Sequence, residues 1–243
     1  MKKHLIIGYG SMGFKHGKIL NQLGQTYDVL DIVPDLDLIA ADEIKHYKDV
    51  SHIKWNNYLS VLICTPPDTH ISILDKVQLD IPVFIEKPII VENVLTNYIT
   101  PRRAPTFVAC NYRFCKEYWE SDIRFIEYGY LCKGPFSYLD LIHMVDLCWE
   151  KYSVPEFGNI SSFSNIHNLI MGFNPNRFVT VVGNNQSPIK YSRLNGKEET
   201  ISNEMFLNQM SHWLDVVKGR SVSTNPVSTA LERTKWLIGL KNV

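Results

Sequence analysis

The sequence lacks the features that mark several large classes of protein. Its 25 Lys plus Arg are balanced by 25 Asp plus Glu among 243 residues, so no net charge draws it to nucleic acid or to an anionic membrane surface. Cysteine is scarce. The five present (Cys64, Cys110, Cys115, Cys132, Cys148) are odd in number, with no CxxC and no Cys/His spacing suited to a metal. Three of them sit in apolar, strand-like or helix-like stretches, which favours buried free thiols over disulfides. Long hydrophobic runs are missing too. The opening stretch "MKKHLIIGYG" holds too short an apolar run for a signal segment or a membrane span and reads as a first strand, which suggests a cytoplasmic protein. Repeats and low-complexity tracts are also absent.

What is present is an ordinary globular balance, 45% apolar and 21% charged. The length suits one large domain or two modest ones. Over the first hundred or so residues strand and helix signals alternate, as βαβ units require. "HLIIGYG" is a short strand ending in glycines, "GFKHGKILNQLG" a helix with apolar positions at helical spacing, and "YDVLDIV" a second strand. Residues 34–57 are polar and ambiguous. "SVLICT" is a buried strand, and Pro66, Pro67 and Asp68 open a helix over "DTHISILDKVQ". "PVFIEKP" is another strand, "VENVLTNYI" a helix and "TFVAC" the last strand of this half.

From about residue 115 the texture changes. "CKEYWESDIRFIEYG" and "HMVDLCWEKY" read as helices, and residues 159–201 alternate like antiparallel strands, with turn signals at "NPN", "GNN" and "NGK". "EMFLNQMSHWLDVVKG" is an amphipathic helix, and a shorter one is expected near "TALERTKWLIGL". The fold class is therefore α/β: an N-terminal Rossmann dinucleotide-binding domain over 1–113, then a reduced α+β domain over 114–243 with a mainly antiparallel sheet.

"GYGSMG" (Gly8, Tyr9, Gly10, Ser11, Met12, Gly13) matches GxGxxG between a strand and a helix, the context in which that pattern has a mechanism. The first glycine makes the tight turn, the second lets backbone approach a pyrophosphate, and the third packs helix on strand. Phosphate then meets the amides of the helix N-terminus. About twenty residues on, Asp31 ends the second strand, where a carboxylate receives ribose hydroxyls and repels a 2′-phosphate, favouring NAD over NADP. "CTPPDTH" (Cys64, Thr65, Pro66, Pro67, His70) lies at the carboxyl end of a central strand, on the edge that borders the ligand crevice. No Walker lysine follows the glycine loop, so a nucleoside triphosphate is not expected.

Taken in order, "GYGSMGFKHGKIL", "CTPPDTH", "IEKPI", "CNYRF" and "HMVDL" resemble the glucose–fructose oxidoreductase / inositol dehydrogenase (Gfo/Idh/MocA) family. The resemblance is close over the first 150 residues, and "MFLNQMSHWLDVVKG" resembles that family's late helix. It implies that Lys87, in Glu86-Lys87-Pro88, lies between nicotinamide and the substrate hydroxyl as acid/base. By the same resemblance His143 shares the proton relay, Asp146 braces it or caps its helix, and Asn111 and Arg113 lie near the domain junction, Asn111 toward cofactor and Arg113 toward substrate. Glu86 would position or tune rather than react.

Two departures from the family pattern stand out. Many members carry an aspartate four residues before the histidine, where this chain has Leu139; Asp140, three before, is a candidate third catalytic group. Members are also commonly longer, and the interval from "NYRF" to "HMVDL" is too compressed, on this reading, for the first strand of a substrate sheet. The resemblance implies NAD-dependent hydride transfer on a sugar, nucleotide sugar or cyclitol, and a homodimer or homotetramer paired through the C-terminal sheet. The alternatives are a dinucleotide-binding sensor without turnover and a reductase of a linear tetrapyrrole.

Overall fold

The computed structural model describes residues 2–32, 44–92, 99–131, 137–163, 166–173, 177–184, 186–198 and 204–241. Most of the expected helix "VENVLTNYI", the turn "NPN" and Cys132 lie outside them. The chain divides into two compact units, one of residues 1–109 and 207–230, the other of residues 110–206 and 231–243. The boundary differs from the expected 113, and the second unit is interrupted, because a late segment returns to the first.

In the first unit six parallel strands form one sheet: β1 (Lys3–Ile7), β2 (Tyr27–Leu30), β3 (His46–Tyr47), β4 (Tyr58–Ile63), β5 (Val83–Ile85) and β6 (Thr106–Val108). Their order is β3-β2-β1-β4-β5-β6. The strand order reverses between β1 and β4, which opens a crevice at the carboxyl ends of those strands. Leu5, Ile6, Val61, Leu62, Ile63, Val83, Phe84 and Ile85 are wholly buried, as continuous apolar strands covered on both faces must be. Helix α1 (Ser11–Gln22) follows β1. The helix expected over residues 68–78 is shorter, a 3-10 turn (Pro67–Thr69) and then α2 (His70–Leu74).

A buried histidine ties the amino-terminal half of this sheet. His4 Nδ1 lies 2.8 Å from Ser60 Oγ. Burial lowers its pKa from the ordinary 6.5 to about 4, and burial lowers that of His70 as well. Between those two pH values the unfolded chain binds a proton at His4 that the folded one refuses, so stability is full above pH 6.5 and falls toward pH 4. The expected loss from His4 is about 3 kcal/mol at 1.36 kcal/mol per pKa unit. Urea titrations between those pH values check it, with His4→Asn expected to flatten the slope.

The second unit carries α3 (Lys116–Glu120), β7 (Phe125–Leu131), α4 (Ile142–Tyr152), β8 (Phe157–Phe163), β9 (Ile166–Phe173), β10 (Arg177–Asn184), β11 (Gln186–Leu194) and β12 (Lys197–Glu198). The sheet order is β12-β11-β7-β10-β9-β8, antiparallel except where β7 and β10 run parallel. Two expectations are corrected by β7. The helix expected over 115–129 stops at Glu120, and the interval judged too short for a first strand holds one, set between β10 and β11. Ile126 and Tyr128 are buried while Phe125 and Glu127 are not, the alternation of a strand rather than a helix.

Helix α5 (Glu204–Val217) closes the first unit through Trp213, whose ring lies 6.1 Å from Phe84 and 6.3 Å from Phe107. Helix α6 (Val227–Lys241), expected to be the shorter, is the longer at 15 residues against 14. Its Trp236 meets Trp149 of α4 edge to face at 5.7 Å within the second unit. No helix among the described residues is long and apolar enough to cross a membrane.

Candidate functional site

The glycine loop joins β1 to α1 at the point where the strand order reverses. Gly8 has φ +86, a conformation side chains rarely adopt. A Cβ at Gly13 would stand 2.0 Å from the Gly8 carbonyl oxygen, so only glycine lets the helix start this close to the strand. A Cβ at Gly10 would meet nothing within 4 Å, which leaves open the approach a pyrophosphate needs. Gly10 caps α1 without a side-chain hydrogen bond, and the first turn holds no acidic residue. The first-turn N–H groups, with no intrahelical acceptor, are oriented to receive an anion.

Asp31 follows β2, and one carboxylate oxygen accepts the Tyr9 backbone N–H at 2.5 Å. This bond fixes the acid against the glycine loop, so the phosphate cradle and the ribose carboxylate form one construction. The Tyr9 hydroxyl in turn bonds that of Tyr27 at 2.7 Å, and burial pushes the Tyr9 phenol well above its usual range. These are the residues that would hold a dinucleotide, and an observed cradle of this shape fits one.

At the carboxyl end of β4, Cys64 is half-buried, and burial followed by the Glu86 carboxylate raises its thiol pKa. Thr65 accepts a hydrogen bond from Thr69 at 2.8 Å, and Pro66 and Pro67 shape the turn. His70, expected to meet cofactor, is wholly buried, and its ring nitrogens lie 2.9 Å from the Pro88 carbonyl and 2.8 Å from that of Thr65. It holds two sheet-edge loops together. Glu86, also expected to meet cofactor, has Oε1 2.6 Å from His16 Nε2. Lys87 is half-buried at the carboxyl end of β5 and precedes Pro88 through a cis peptide bond.

In the second unit the 3-10 turn Asn111–Phe114 buries Asn111, whose Oδ1 has no hydrogen-bond partner among the described residues. Arg113, expected toward substrate, is held in an ion pair. Its side chain is 5% exposed and donates to both carboxylate oxygens of Asp146, with Nη2 to Oδ1 at 2.7 Å. Arg233 reaches Asp146 from α6 and Glu150 at 2.8 Å. Burial works against the Arg113 charge, but Asp146 holds its pKa above the ordinary value; burial pushes the Asp146 carboxyl upward against the pull of Arg113. Asp146, expected to brace His143 or cap its helix, is therefore the centre of a buried ion cluster. His143, half-buried near the start of α4, packs its ring 5.3 Å from Tyr112. Asp140 lies half-buried in the 3-10 turn Ser137–Leu141 that leads into the helix. Sequence reading missed His16 and Arg233, which no motif marks as site residues.

Residues 2–96 match the model of a family described as "Oxidoreductase family, NAD-binding Rossmann fold". The cradle, the acid after β2 and the strand order agree with that match and give the first unit the architecture of a Rossmann dinucleotide-binding domain. The match covers 95 of the 243 residues and lies within the first unit. Among solved structures the chain is similar to a probable dehydrogenase from Thermotoga maritima, at 14% identity over 99% of this chain and 96% of that one, TM-score 0.74. It is also similar to a myo-inositol dehydrogenase from Corynebacterium glutamicum, at 10% identity over 100% and 96%, TM-score 0.77. A third is the WlbA dehydrogenase from Thermus thermophilus in complex with NAD and UDP-GlcNAcA, at 11% identity over 100% and 95%, TM-score 0.71. At such identities the likeness establishes the fold. No curated protein matches the sequence significantly.

Proposed function

We propose that the chain transfers hydride between NAD(H) and a secondary alcohol or ketone of a sugar, nucleotide sugar or cyclitol. The observation that carries this reading is Lys87, half-buried on the sheet edge where the glycine loop and Asp31 end. A titratable amine at the carboxyl ends of parallel strands is placed for proton transfer beside a dinucleotide. NAD, when bound, accepts or supplies the hydride. Lys87 takes the hydroxyl proton in the oxidising direction and returns it in the reducing direction. His143 and Asp140 keep the proton-handling roles, and Asn111 the cofactor role, that the sequence resemblance implies. The inositol and UDP-sugar dehydrogenases among the similar structures support the substrate class. Exposed Phe157 and Phe178, paired at 5.7 Å on the second unit's sheet, support a homodimer or homotetramer through that face.

A hydride-transfer screen of the full chain with NAD over UDP-sugars, free sugars and inositols tests the substrate class. NADH formation with one group is the expected result, and none with any group overturns the reading. Asp31→Ala is expected to raise the NADP-to-NAD affinity ratio about tenfold, about 1.4 kcal/mol. Because Asp31 also holds the Tyr9 N–H, both affinities fall, and it is the ratio that isolates the ribose role.

A further inference from the structure

Glu86 and His16 form a buried pair that the assignment of Lys87 leaves unexplained. Glu86 directly follows β5 and is 7% exposed. Its Oε2 accepts the Lys87 backbone N–H at 3.3 Å, while Oε1 lies 2.6 Å from His16 Nε2. His16, on α1, is fully buried and sits edge-on to Phe84 at 5.0 Å. Its Nδ1 has no hydrogen-bond partner among the described residues. A proton on Nδ1 would be buried with nothing to accept it, so the ring carries its proton on Nε2 and donates it to Glu86. The pair therefore bears the single negative charge of the carboxylate.

That charge lies at the carboxyl end of β5, beside the end of β4, on the edge where a dinucleotide binds. The Cys64 thiol already responds to it, being raised by the Glu86 carboxylate in addition to burial. A link that only held α1 against β5 would need no charge, and an apolar pair of similar volume would avoid the desolvation cost. The nicotinamide ring is a cation when oxidised and neutral when reduced. We propose that the His16–Glu86 pair selects the redox form of the cofactor, a fixed negative charge that strengthens binding of NAD+ relative to NADH. His16 acts through Glu86 as a positioning residue. The inference rests on the cofactor reading above and concerns binding rather than turnover.

The test is equilibrium binding of NAD+ and of NADH to the full chain, by calorimetry and by nicotinamide fluorescence. In Glu86→Gln the ratio of Kd for NAD+ to Kd for NADH is expected to rise about tenfold, the scale of one charge acting across a partly screened site. In His16→Gln, whose amide keeps the donor and leaves the charge, the ratio should stay within about twofold of wild type. Equal weakening of both forms in Glu86→Gln, or as large a rise in His16→Gln, would overturn the proposal. Binding of neither form by the wild type would overturn the cofactor reading itself, and the proposal with it. Should Glu86→Gln fail to fold, His16→Lys neutralises the carboxylate in place: a rise of about tenfold supports the inference, and an unchanged ratio sinks it.

Discussion

Lys87→Met should lower kcat about a hundred- to ten-thousandfold on the substrate found by the hydride-transfer screen, the range expected for losing a general acid/base. Methionine keeps the length and much of the apolar stem, so the packing of the loop after β5 is conserved. The side chain is half-buried rather than part of the core, so stability should change little. NADH affinity should then stay within about threefold, because the cradle at Gly8, Gly10 and Gly13 and the carboxylate of Asp31 are untouched. A loss in kcat with unchanged cofactor binding assigns Lys87 to the chemical step. Partial rescue by added methylamine, absent in wild type, would mark the missing function as a proton carrier. Lys87→Arg should not rescue, since a guanidinium does not give up its proton in the working pH range. Equal turnover by wild type and Lys87→Met would remove Lys87 from the mechanism.

The parts of this site that could be read in the sequence are those whose chemistry is local. The glycine loop is legible because its requirement is a backbone conformation set within six residues, and Gly8 and Gly13 meet it with a positive φ and a contact no side chain could share. β4 and β5 are legible because a strand buried on both faces must be apolar throughout. What sequence does not carry is the choice of partner. His16 and Glu86 stand 70 residues apart, and Arg233 stands 87 from Asp146. Nothing in either neighbourhood says which opposite group completes it. Arg113 is a further case: its sequence neighbourhood does not announce the Asp146 carboxylate that holds it. The same gap explains α5: its periodicity shows an apolar face, but not that Trp213 joins Phe84 and Phe107 in the earlier unit. β7 was hidden for a different reason. The run from Tyr118 through Tyr128 mixes aromatic and charged residues at spacings that suit either period, and only pairing with β10 and β11 decides it.

Asp146→Ala should destabilise the protein by about 3–5 kcal/mol, the cost of leaving buried charges without their partner. Both guanidiniums that Asp146 holds are almost fully buried, 5% exposed for Arg113 and 6% for Arg233. With the carboxylate gone, the acid that both still reach is Glu150, which is 37% exposed and lies 3.2 Å from Arg113 and 2.8 Å from Arg233. A half-exposed acid cannot offset two buried cations that also repel each other. The urea midpoint should fall with the slope unchanged if the loss is one of stability alone. Removing one cation along with the acid should recover much of the loss, because the damage lies in the unpaired charge rather than in the missing contact. Asp146→Leu combined with Arg113→Met is therefore expected to be more stable than Asp146→Ala alone. If the double variant is as unstable as the single one, or if Asp146→Ala unfolds at the wild-type urea concentration, the cluster does not hold the second unit together. The lysine variant and this one then separate cleanly: Lys87→Met loses turnover in a folded protein, whereas Asp146→Ala loses activity only as far as it loses the fold, and mild stabilising osmolyte should restore it.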